Sequence, residues 1–124
     1  MKSTGSRLFA IAVIAIAAAL HAYEQLAKSS APGLGWFFWA MVPYGVCLLV
    51  LLCAKSGIPG ALGVSTAFAL DLVAHYDVFV HPKGSTAALA LLFVPLWSAL
   101  IIVPVVMFAA WLAVRRWGAG NHAA

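Results

Sequence analysis

Three acids and four histidines occur in the 124 residues: Glu24, Asp71, Asp77, His21, His75, His81 and His122. Asp71 and His75 stand four apart, and so do Asp77 and His81. Residues four apart share one face of a helix. A carboxylate and an imidazole on one face can hydrogen-bond, pass a proton, or offer oxygen and nitrogen to one metal ion. His21 and Glu24 fall along one stripe by the same rule. Asp71, His75, His21 and Glu24 are therefore the candidate proton or metal site. Asp77 and His81 are peripheral candidates: Asp77 is turned about 240° from Asp71 on a straight helix.

Several chemistries fit these residue types. A divalent Zn, Cu or Fe ion accepts such N and O ligands. An Asp–His pair inside a membrane can exchange a proton for a cationic solute, a task for which four short helices need a dimer. His21 and His75 on facing helices are a possible b-type haem pair. A buried Asp–His hydrogen bond that simply locks helix packing is the plainest reading. Cys47 and Cys53 lie six apart on different helix faces and read as packing residues. Nucleotide-binding glycine loops, an HExxH zinc motif and a GxSxG elbow are absent from the sequence.

The elements that hold these groups are set by composition. The chain is 65% hydrophobic and 8% charged, with a mean hydropathy of +1.06. A soluble domain has about a quarter charged residues. So little charge excludes a water-soluble globule and a disordered tail. Four apolar runs cover residues 8–27, 36–54, 61–80 and 86–114. About 20 residues of helix cross the hydrocarbon layer, and helices satisfy their own backbone there. The expected fold is all-α: one membrane domain of four transmembrane helices. The breaks at 28–35, 55–60 and 81–85 hold Pro, Gly and Ser. Such short breaks predict antiparallel neighbours, with Ser85 or Thr86 capping the fourth helix. Pro95 and Pro104 predict kinks in that helix. Ser65, Thr66 and Ser98 are expected to bond back to a carbonyl one turn earlier.

Charge sets the orientation. Lys2, Arg7, Lys55, Arg115 and Arg116 share one side, and Lys28 and Lys83 take the other. The positive-inside rule then puts both termini in the cytoplasm. Trp36 and Trp39 mark the outer interface, and Trp111 and Trp117 the inner one. The acids and three histidines face outward, and His122 lies in a cytoplasmic tail. Composition favours a bacterial inner membrane. Residues 2–19 also resemble a signal peptide, whose cleavage would leave three helices.

Asp71 is the expensive residue. A charged Asp at a helix centre costs about 2.5–3.5 kcal/mol. Gly60, Val64, Ala67, Ala74 and Val78 share its face, whereas Leu72, Val73, Tyr76, Phe79 and Val80 cover the other. The Asp71 face is expected to pack inward. The functional expectation is a structural or accessory membrane protein without enzymatic activity. A small proton-coupled transporter or metal-binding protein is the alternative. The bilayer is its partner, with a homo-oligomer or larger membrane complex. The low, scattered charge gives no footprint for nucleic acid.

Overall fold

The computed structural model describes residues 2–28, 33–82, 84 and 87–120. Residues 29–32, Lys83, the Ser85/Thr86 cap and His122 lie outside the described residues. Helix α1 is Lys2–Tyr23 and runs on as a π turn, Glu24–Lys28. Helix α2 is Leu34–Cys53. Helix α3 is Ile58–His75, followed by a π turn, Tyr76–Val80. Helix α4, Ala87–Trp97, passes through a π turn, Ser98–Ile102, into α5, Val103–Gly120. Four stretches are long and apolar enough to span a membrane: Thr4–Ala27, Leu34–Cys53, Ile58–Val80 and Leu92–Gly120.

The ends differ from the apolar runs for local reasons. Helix α1 starts at Lys2, ahead of its apolar run. Helix α3 starts at Ile58 because Pro59 falls in its first turn. No intrahelical partner exists there for an N–H, so proline costs nothing. The last helix runs to Gly120, past Arg115 and Arg116. Neither Pro95 in α4 nor Pro104 in α5 interrupts the helical run from α4 to α5. The Val103 N–H bonds to the Ser98 carbonyl, five residues back, just before Pro104. In α geometry a proline ring collides with the carbonyl four residues earlier. The wider π turn relieves that crowding.

Small residues decide which faces meet. On α1, Ala10, Ala17, His21 and Glu24 are buried. On α3 the buried residues include Gly60, Val64, Ala67, Asp71 and Ala74. Both stripes advance by threes and fours, the spacing of one helix face. Small side chains let the backbones approach, which is what drives helix packing in lipid. Leu72, Val73, Tyr76 and Val80 are exposed, as the bulky face of that run predicts. Helix α3 contacts α1, α2, α4 and α5, so it is the hub of the bundle. Helix α2 adds Pro43, Tyr44, Cys47 and Leu51, and α5 adds Val103, Met107 and Ala110.

Three smaller expectations meet mixed outcomes. Ser65 and Thr66 donate to the carbonyls of Ala61 and Leu62, at 2.8 and 2.9 Å. Ser98 does not follow them: its Oγ is buried with no partner among the described residues. Ser98 opens the π turn, where the register that serves such a bond is lost. Cys47 packs in the core, but Cys53 faces outward, so only one cysteine is a packing residue.

Candidate functional site

Two helix endings build the site. His21 closes the last α turn of α1, and Glu24 opens the π turn that follows. Asp71 lies one turn before the end of α3, and His75 is its last residue. The second π turn starts immediately after it. Each pair thus sits at or beside a junction between α and π geometry. Such junctions re-aim side chains and recur at functional sites.

The side chains join in one chain. Nδ1 of His21 is 3.0 Å from Glu24 Oε2. Its Nε2 is 3.0 Å from Asp71 Oδ2. The hydroxyl of Tyr44, from α2, donates to the same Asp71 oxygen. His75 Nδ1 lies 2.5 Å from the other Glu24 oxygen, Oε1. The order is therefore Tyr44, Asp71, His21, Glu24, His75, and it ties three helices together. Tyr44, Asp71, His21 and Glu24 are 1%, 6%, 7% and 8% exposed, so four of the five groups are shielded from solvent. The ring of Tyr44 also meets that of His21 edge-on, at 6.3 Å between centroids.

The expected helix-face pairing of Asp71 with His75 is replaced by pairing across helices. Asp71 has a short side chain, and His21 and Tyr44 reach it from α1 and α2. His75 turns to Glu24. All four predicted site residues are nevertheless brought together. The peripheral pair stands elsewhere. The His81 ring stacks on Tyr76 at 5.8 Å between centroids, and neither Asp77 nor His81 lines the cleft beside the chain.

Each contact at a ring nitrogen is a hydrogen bond when one of its two atoms carries a proton, and the tautomers of His21 and His75 set which atom donates. A buried charge is tolerated when it is paired and hydrogen-bonded throughout.

The same contacts speak to ligands. Both His21 nitrogens face carboxylates, so none is turned to a haem iron. Among the described residues, no three His, Cys, Asp or Glu side chains are arranged to hold a metal ion. Their lone pairs and protons are directed at one another instead. A cleft lies against the chain, lined also by Gln25, Trp36 and Pro95, with a volume of about 20 Å³. That is room for about one water molecule.

Tyr44 is the one member of the chain that is not among the candidates named from the sequence. A depth count points to it. Tyr44 is ten residues into α2, about 15 Å along the helix. Asp71 is nine residues from the end of its span at Val80, about 14 Å. Equal depth makes them natural partners if those ends share a membrane face. Replacing Tyr44 by Phe keeps the ring and removes the donor to Asp71. The expected loss is about 1.5–3 kcal/mol, the worth of a hydrogen bond to a charged group. Thermal unfolding of the purified variant in a mild detergent measures it.

No known family model, curated protein or solved structure matches this chain.

Proposed function

We propose that this chain is a small multi-pass membrane protein with a structural or accessory role and no enzymatic activity. In this reading it sits in a cell membrane of the bacterial inner type. Neighbouring helices run antiparallel, and both termini are cytoplasmic. The acid–histidine chain then faces outward. One observation carries the functional reading. The expensive side chains of α1, α2 and α3 are satisfied by one another, beside a cleft that admits only water. Such a network specifies which helix faces meet and offers no site for a solute. Native mass spectrometry of the purified chain tests this. A self-assembled or partner-bound species free of small solute or metal supports it. A stoichiometric metal ion or non-lipid solute overturns it.

A second reading has its own observation. The chain is an unbroken series of proton-bearing groups that ends at a water-sized cleft. That arrangement suits a proton relay that forms the outer part of a path across the membrane. Proteoliposomes holding a pH-sensitive dye and given an acid pulse are the test. Proton entry above the lipid-only rate is expected for the native chain, and at the lipid-only rate for His21→Leu. Equal rates in both preparations would end the proton reading and leave the structural one standing.

A further inference from the structure

The far ends of the same helices hold a second polar feature. The loop between α2 and α3 carries Lys55, and Arg115 of α5 faces the same cleft. The volume of that cleft is about 280 Å³. Its remaining walls include Ala54, Pro59, Trp111 and Val114. A third cation reaches the loop from α1: Arg7 donates to the Ala54 carbonyl at 2.7 Å. Its Nε is buried with no partner among the described residues. The three acids of the chain, Glu24, Asp71 and Asp77, are not among the lining residues. The charged side chains that line the cleft, Lys55 and Arg115, are both basic.

Two further features prepare the cleft for an anion. The Arg115 guanidinium is held over the Trp111 ring, 5.3 Å from its centroid. Stacking restricts the side chain and leaves the donors at its edge available to a planar or tetrahedral anion. Helix α3 begins at the cleft, through Pro59 in its first turn. The positive end of its dipole adds to the field. Beneath the basic rim, Trp111, Val114 and Pro59 form an apolar wall.

We propose that this cleft seats an anionic phospholipid, with its phosphate at Lys55 and Arg115 and its acyl chains along Trp111 and Val114. A bare inorganic anion has no use for the apolar wall. A zwitterionic lipid carries its own cation and gains less from the rim. Basic pockets between helices at the positively charged membrane face are suited to such headgroups. The inference rests on the membrane reading above.

The test uses the full-length chain in an uncharged detergent. Phosphatidylglycerol, phosphatidylcholine and inorganic phosphate are added in parallel, and retained adducts are read by native mass spectrometry. Phosphatidylglycerol is expected to be retained in clear preference to phosphatidylcholine. The Lys55→Ala/Arg115→Ala variant is expected to lose about 30-fold in phosphatidylglycerol affinity, at about 1 kcal/mol for each basic residue. Lys28→Ala is the control for bulk charge and keeps the preference. Lys55→Arg keeps it too, and guards against a loss that comes from misfolding. Equal retention of both lipids, or an unchanged preference in the double variant, overturns the proposal. Displacement of phosphatidylglycerol by inorganic phosphate overturns the lipid as the source of the anion. Carbonate extraction of membranes separates the two failures. A chain that stays in the pellet without lipid preference refutes the cleft alone. A chain that is extracted refutes the membrane reading.

Discussion

Replacing His21 by alanine is expected to destabilise the bundle by about 3–5 kcal/mol, the scale for removing one member of a buried charged set. The imidazole stands between two carboxylates, at 3.0 Å from each. Without it, Glu24 loses one partner and Asp71 keeps only Tyr44. Their negative charges then share a space with no bridging proton. Either the carboxyls protonate or α1 leaves α3. The measurement is an unfolding titration in mild detergent, followed by circular dichroism. A loss below about 1 kcal/mol would show that the chain is not what holds the helices. The companion variant is informative in the opposite way. Tyr44→Phe, His21→Leu, Glu24→Leu, Asp71→Leu and His75→Leu together leave no stranded polar group. Apolar replacement of a whole buried set is often neutral or stabilising. A protein that keeps its fold but loses its cellular role would assign that role to the polar groups themselves.

Gly63→Val is the second large effect. A Cβ at residue 63 would lie 2.7 Å from Met107 Cγ and 3.1 Å from Cys47 Sγ. Valine adds two methyl groups beyond that point. Here α2, α3 and α5 converge, so no direction is open. The expected loss is about 1–3 kcal/mol from overpacking. Met107→Ala in the same chain should restore part of it, because it vacates the space that the methyl groups need. Gly45→Ala is the contrast: nothing lies within 4 Å of its added carbon. Removing a glycine from a helix interior there is expected to be neutral or to gain about 0.5–1 kcal/mol. Equal stability of Gly63→Val and Gly45→Ala would refute the close approach of the three helices.

Particular residues show how much of this was legible in the sequence. The spans were, because apolar runs of such length have few other uses. The inward face of α3 was too: Gly60, Val64, Ala67 and Ala74 stand beside Asp71, with bulk opposite. Scarce charge in an apolar chain singles out the four candidate residues, and the structure brings their side chains together. Their partners were not legible in the sequence. The rule of four pairs Asp71 with His75, but that rule knows only one helix. Which side chains meet across helices depends on tilt, depth and rotation. The π turns at Glu24 and Tyr76 alter rotation just where the groups lie. No local pattern announces such a turn. Ser98 escaped prediction for a related reason, since a π turn also begins there.

The position of His21 and Glu24 within one turn of α1 has a consequence for biogenesis. In the membrane reading, a chain made from its amino end presents α1 to the bilayer before Asp71 exists. His21 and Glu24 already face each other, so in the membrane reading α1 carries a hydrogen-bonding partner for its own acid into the lipid. Asp71 has no such companion, since His75 on the same helix turns to Glu24. It arrives third, bearing an insertion cost of about 2.5–3.5 kcal/mol. By then Tyr44 and His21 are in place to receive it. The order of the helices along the chain thus doubles as an order of assembly, with the least tolerable residue entering after both of its partners.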